Sequence, residues 1–209
     1  SVDEVKRILT SAASLPSPRG LRGPTCSTLF GLLAVTGMRV GEVSSLDRDD
    51  VDLEGRVIAI RHGKFGKSRF VPFHRTTRDI LESYARKRDG VFPRPRTPAF
   101  FISEHGRRVS PWCAQDNFAE VSRQIGLRQE TGGPFGRGPR LHDLRHRFAV
   151  TTLIHWYRSG EDVDREMPKL ATYLGHTRVV DVYWYLQAVP ELLELATKRS
   201  ERAAKDGAR

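Results

Sequence analysis

The chain has 209 residues, enough for a sizeable core, and its 35 Lys and Arg against 25 Asp and Glu give a formal charge of +10. So basic a balance favours a polyanionic partner over an acidic small metabolite. Only two cysteines occur, Cys26 and Cys113, far apart and without paired spacing, which suggests neither a disulfide framework nor a cysteine zinc site; no apolar run approaches the roughly 20 residues that span a bilayer. The expected setting is a reducing, cytoplasmic one with no membrane contact.

Ser1-Val2-Asp3-Glu4 forms a capping box that starts a helix running to about Ala13. Three prolines and two glycines make residues 15–24 a loop, after which an apolar helix runs from about Thr25 to Thr36 and ends at Gly37. A short helix is expected over Gly41 to Leu46. The period then changes: Val57, Ile58 and Ile60 lie in one β-branched run and Phe70, Val71 and Phe73 in another, with Gly63 and Gly66 between them, which reads as a hairpin. Ile80, Leu81 and Tyr84 have helical spacing, and Ala99 to Ile102 is expected to add a third strand after a Pro-rich turn.

Beyond that point every element reads as helix. Ser110 caps and Pro111 opens a helix carrying Phe118, Val121 and Ile125, followed by a Gly-rich loop from Thr131 to Gly138. Further helices are expected from His142 to about Tyr157, Pro168 to Leu174, Arg178 to Leu186 and Pro190 to about Ala204, with Pro168 and Pro190 in first turns. The fold class is therefore mainly α with a small antiparallel β-sheet. One domain spans residues 1–197, and the charged tail 198–209 is expected to fray.

Four motifs occur along this frame. The first is Thr36-Gly37-Met38-Arg39-Val40-Gly41-Glu42-Val43, an arginine in the turn between two helices. The second is the hairpin tip Gly63-Lys64-Phe65-Gly66-Lys67-Ser68-Arg69, which lacks the pattern of a phosphate-binding P-loop. It lies within an acid-free run of six cations, Arg61, Lys64, Lys67, Arg69, Arg75 and Arg78, that phosphates would feel. The third is Leu141-His142-Asp143-Leu144-Arg145-His146-Arg147-Phe148-Ala149, where His142 and Arg145 share one helix face. His142 and His146 have metal-compatible spacing, but no carboxylate or cysteine completes a shell, so no metal is expected. The fourth is Leu174-Gly175-His176 with Tyr185 nine residues later, inside Tyr183-Trp184-Tyr185-Leu186.

Each motif alone has a bland reading: a surface arginine beside a cap, a solvated turn lysine, a capping histidine, an aromatic core cluster. Their order is more telling. Arg39, Lys64, His142-x-x-Arg145, Leu174-Gly175-His176 and Tyr185 together resemble the Arg-Lys-His-x-x-Arg-His-Tyr set of the tyrosine recombinase (phage integrase) family, over residues 1 to about 197. The stretch from Tyr183 to Leu195 is similar to transposon-associated members.

The resemblance implies a DNA breaking and rejoining enzyme that works through a 3′-phosphotyrosine link made by Tyr185. Such a transfer gathers negative charge on the non-bridging phosphate oxygens, which calls for preorganised cations. Arginine suits that task because it stays charged and its planar fork holds two oxygens, so Arg39 and Arg145 form the expected clamp, with His176 adding a hydrogen bond. Tyrosine, with an unperturbed pKa near 10, needs its proton accepted, and His142 is the candidate acceptor. The resemblance gives Lys64 the role of general acid to the leaving 5′ oxygen, with Lys67 as the alternative. Lys67, Arg69, Arg137 and Arg140 are candidate DNA contacts from charge alone.

No cofactor is implied, since the phosphotyrosine bond keeps the energy of the broken phosphodiester. The implied partners are double-stranded DNA and further copies of the chain, four protomers assembling on it. Family members carry a DNA-clamping domain ahead of the catalytic one, and nothing in the 209 residues matches it, so a part of a longer protein is expected. Two other functions fit less of the pattern: type IB topoisomerase-like relaxation and a non-catalytic DNA-binding module.

Overall fold

A computed structural model describes residues 1–61, 68–129, 138–175, 178, 180, 182, 185 and 190–206, the side chains of 198 and 200–206 aside. The hairpin tip with Lys64 and Lys67, the Gly-rich loop with Arg137, and His176, Tyr183 and Trp184 lie outside the described residues. The chain divides into two compact units, Ser1–Arg145 and His146–Arg209.

In the first unit α1 (Val2–Ala13) starts at the capping box the sequence predicts, with Ser1 Oγ accepting from the Glu4 amide at 3.2 Å. It packs on α2 (Arg22–Thr36), and both contact α5 (Pro111–Gln124). Ten of the fifteen residues of α2 are buried, which makes it the central helix of this unit. Phe30 from α2 meets Phe118 from α5 edge to face at 5.3 Å. The start of α2 lacks a side-chain cap of its own; instead Glu104, from a distant turn, accepts from the amides of Arg19, Leu21 and Arg22 and from Ser17. A carboxylate there satisfies free donors and complements the positive helix end.

The short α3 (Val40–Ser45) follows α2 after a tight turn. Next comes an antiparallel sheet in the order β1 (Val51–Asp52), β2 (Val57–Ile60), β3 (Arg69–Pro72), in which Ile60 pairs with Arg69. The hairpin is as the sequence predicts, but the third strand is not Ala99 to Ile102. That segment makes only isolated bridges, Asp47 with Ala99 and Ile102 with Arg108. Its polar backbone is satisfied largely by side chains instead. Arg88 donates to the Phe100 carbonyl at 2.9 Å, Thr25 to the Ile102 carbonyl at 3.0 Å, and the Ile102 amide donates to Tyr84 Oη at 3.1 Å. All four residues of the segment are buried, beneath α4 (Arg75–Val91).

Helix α6 (Leu141–Ser159) is followed in the second unit by α7 (Val163–Leu174) and α8 (Pro190–Asp206). Val180, Val182 and Tyr185 have helical backbone. Helix α7 begins earlier than the sequence suggests and holds Pro168 inside it. Val163, Met167, Leu170, Ala171 and Leu174 form its buried stripe. Burial of side chains that size, at about 2 kcal/mol for each larger one, outweighs the ~3 kcal/mol an interior proline costs. These residues pack with Ala149, Leu153, Val182, Tyr185 and Leu192 as one core. Helix α8 stays helical to Asp206 and is tied back by Arg199, which donates to the Glu161 carbonyl at 2.7 Å and to Asp162 at 2.9 Å.

Candidate active site

The turn between α2 and α3 organises the first unit's charged groups. Helix α2 ends at Gly37, whose φ of 61° and ψ of 17° lie in the left-handed region that glycine enters without strain. Its carbonyl accepts a hydrogen bond from Arg145 Nη1 at 2.7 Å. Arg145 is only 2% exposed. Two residues on, Arg39 is extended and forms the N-cap position of α3. The guanidinium of Arg145 is thus seated on the turn that carries Arg39, and the two predicted clamp residues share one local scaffold.

Arg39 is fixed by Glu42. Its amide donates to Glu42 Oε2 at 2.8 Å and its Nη1 to Oε1 at 3.0 Å. Arg69, at the start of β3, approaches the same carboxylate with both terminal nitrogens, at 2.9 and 2.8 Å. The Glu42 side chain is 7% exposed, between Arg39 at 25% and Arg69 at 12%. Burial by itself would raise the Glu42 pKa. The hydrogen bonds from Arg69 and from the Arg39 amide, with the two guanidinium charges, outweigh burial and hold the carboxyl below its usual range.

Beside this cluster lies an open cleft of about 480 Å³, lined by Arg39, Glu42, Ser45, Arg61 and His142 among others. His142 is exposed on the first turn of α6. Asp143 caps that turn by accepting from the Arg140 amide at 2.8 Å, and the Arg140 residue itself is exposed. Arg61 reaches across to Asp50 at 2.8 Å. Two members of the acid-free run therefore meet carboxylates in space, Arg61 on Asp50 and Arg69 on Glu42.

The structure brings together Arg39, His142 and Arg145 from the predicted set. Arg69, predicted to touch DNA, is directed to Glu42. Tyr185 belongs to the second unit, where it is 3% exposed within the core, with its ring 5.5 Å from that of His146 in an edge-to-face arrangement. Lys64, Lys67, Arg137 and His176 lie outside the described residues. Sequence reasoning missed Glu42. Its signal was present: an acid three residues after an N-cap is the capping-box position. Among the described residues, no group of three or more His, Cys, Asp or Glu could hold a metal ion.

Comparison with known proteins adds an independent line. The sequence profile of the phage integrase family matches residues 1–191. The integrase/recombinase y4rB of Sinorhizobium fredii is 42% identical over 210 residues, covering 99% of this chain and 66% of that protein. Tyrosine recombinase XerD of Mycobacterium leprae is 31% identical over 212 residues, covering 97% of this chain and 61% of the relative. The crystal structure of XerA recombinase matches with a TM-score of 0.71 at 25% identity, over 96% of this chain and 64% of that one. The chain spans about two thirds, or somewhat less, of the length of these relatives.

Proposed function

Because this chain belongs to the phage integrase family, we propose that it is the catalytic domain of a site-specific DNA recombinase that cleaves and rejoins duplex DNA through a covalent 3′-phosphotyrosine. Tyr185 Oη attacks the phosphorus, the bond to the 5′ oxygen breaks, and the energy of that bond is kept in the new ester. His142 accepts the phenol proton and Lys64 protonates the leaving oxygen. Arg39, Arg145 and His176 hold the non-bridging oxygens, whose charge grows along the reaction. Rejoining runs the same steps backward, with the 5′ hydroxyl of a partner strand as nucleophile. Exchange between two duplexes calls for four protomers on DNA.

The observation that carries this reading is the seating of Arg145 on the Gly37 carbonyl, two residues from Arg39. A clamp on one phosphate needs two permanent cations on one rigid support, and that bond ties the second cation to the support of the first. Arg69 and Arg140 serve as further contributors, Arg69 by positioning Glu42 and Arg140 by meeting DNA from its exposed place ahead of α6.

The test is a duplex nicked next to the cleavage site, which lets the short 5′ product diffuse away and traps the covalent complex. Wild-type chain should give a denaturation-resistant adduct, and Tyr185→Phe should give none while still binding the duplex. An adduct surviving in Tyr185→Phe moves the nucleophile elsewhere. Rapid relaxation of supercoiled DNA that lacks any target site would favour topoisomerase-like action instead.

A further inference from the structure

A second basic concavity lies in the first unit and shares no lining residue with the Arg39 cleft. It has a volume of about 940 Å³ and is lined chiefly by Arg19, Phe92, Arg94, Arg96, His105 and Arg107. Three separate stretches meet there: the loop before α2, the Pro-rich turn after α4, and the turn between Ile102 and Arg108. All four arginines and His105 are exposed, and no acid lines the hollow. Among the described residues, none of the four guanidinium groups forms an ion pair with a carboxylate, whereas Arg22, Arg48, Arg88 and Arg108 each do.

The nearest carboxylate in sequence, Glu104, is already spent. It accepts from three amides at the start of α2 and from Ser17, and those bonds hold its pKa below the usual range against the opposing effect of burial. The frame around the cations is stiff. Pro93, Pro95 and Pro98 fix φ and keep Arg94 and Thr97, each next before a proline, out of helical geometry. The Phe92 ring packs against Gly106, where any Cβ would meet the ring at 2.8 Å, and the Arg19 guanidinium lies 5.3 Å from the ring centre. Arg108, next to Arg107, donates to the Ser44 and Leu46 carbonyls at 3.1 and 3.0 Å, so this turn is tied to the end of α3.

Like charges held together on a stiff frame repel one another at a cost to stability, and a partner that supplies regularly spaced negative charge removes that cost. We propose that this concavity is a second DNA-backbone site that grips phosphates of the duplex away from the point of cleavage. The assignment rests on the reading of the chain as a DNA-acting enzyme and adds to it a set of contacts that the motif residues do not contain. Guanidinium forks suit paired phosphate oxygens, and contacts confined to the backbone give binding strength and register without sequence choice.

The experiment measures binding of the chain to a random-sequence duplex across a range of salt, together with the rate of adduct formation on nicked DNA at saturating protein. Each phosphate contact contributes about 0.9 to the slope of log affinity against log salt. The double variant Arg94→Gln/Arg96→Gln should therefore lose nearly two from that slope and bind about tenfold or more weakly at moderate salt, with the saturated rate of adduct formation unchanged. Arg86→Gln/Lys87→Gln, which removes the same charge from the exposed face of α4, is the control and should leave the slope near the wild-type value. A double variant whose slope equals that of wild type or of the control overturns the assignment. So does binding of a poly-glutamate peptide that the double variant loses while its DNA slope stays intact, since the hollow would then serve an acidic protein. Failure of the wild type to bind DNA at all would overturn the proposed function itself, a distinct outcome.

Discussion

Both carboxylate oxygens of Glu42 accept from Arg69, at 2.9 and 2.8 Å. The same two oxygens also take the amide and guanidinium of Arg39. Two cations in one small, mostly buried region repel each other, and the attraction of each to Glu42 offsets that repulsion. Strand β3, which begins at Arg69, is thereby linked to the turn that presents Arg39.

Removing the negative charge should expose that repulsion. Glu42→Gln keeps shape but leaves two guanidinium groups short of a counter-charge, and a loss of about 3 kcal/mol is expected because breaking one side of a buried pair strands the other. Urea unfolding monitored by fluorescence gives the number. A loss below about 1 kcal/mol, the value of an exposed pair, would show that the cluster is solvated in solution.

The depressed pKa of Glu42 gives this contribution a pH dependence. In the unfolded chain a glutamate titrates near 4.3, and in the folded chain Glu42 titrates below its usual range. The charged form is favoured by folding, so the stabilisation is fully present above about pH 5 and is lost as pH falls through the folded value. Between pH 5 and 3 the wild type should lose stability more steeply than Glu42→Gln. Parallel curves for the two proteins would refute the assignment of the shift to this residue.

Arg145 offers a test of fork against charge. Arg145→Lys keeps the positive charge but loses the paired geometry of the guanidinium and its hydrogen bond to Gly37. Single-turnover adduct formation should fall by about 10²–10³-fold, the usual effect of losing one preorganised donor from a charge-stabilising site. Folding stability should drop by only about 1–2 kcal/mol. A variant with wild-type cleavage would remove Arg145 from the clamp.

The two cysteines separate by environment. Cys26 is buried in α2, and burial pushes its thiol up to about 12, while Cys113 is partly exposed near the start of α5. Iodoacetamide on the native protein at mild alkaline pH should label Cys113 alone, and both thiols should react in denaturant. Mass spectrometry of the intact chain counts the labels. Rapid double labelling without denaturant would contradict the packing around α2.

The sequence was most informative where local chemistry decides structure. Ser1 with Glu4, Ser110 with Pro111 and the glycine after Thr36 each set a helix end through bonds spanning three or four residues, and all three occur as read. It was least informative where distant side chains decide. Ala99 to Ile102 looks like a strand because its residues are apolar and aromatic. Which groups satisfy its backbone depends on Thr25, Tyr84 and Arg88, and no period in the chain encodes that. Pro168 looks like a helix start by the local rule for proline, while the apolar stripe on both sides of it carries the helix through. For the site, the order of the motifs marks out Arg39, His142 and Arg145, which the fold brings together, whereas Glu42 and the pairing of Arg69 depend on strand β3 lying beside α3.

The way residues 99–102 are held has a consequence for how the first unit comes apart. A segment bonded to its neighbours in a ladder can peel from an edge, one rung at a time. This one is gripped from α2 by Thr25, from α4 by Tyr84 and Arg88, and from the end of α3 by the Leu46 carbonyl that takes the Phe100 amide at 2.8 Å. No partial opening frees it without parting those helices from one another. The Phe100 and Ile102 amides, though outside any regular element, belong with the slowest to exchange with solvent, and their release marks the collapse of the whole unit.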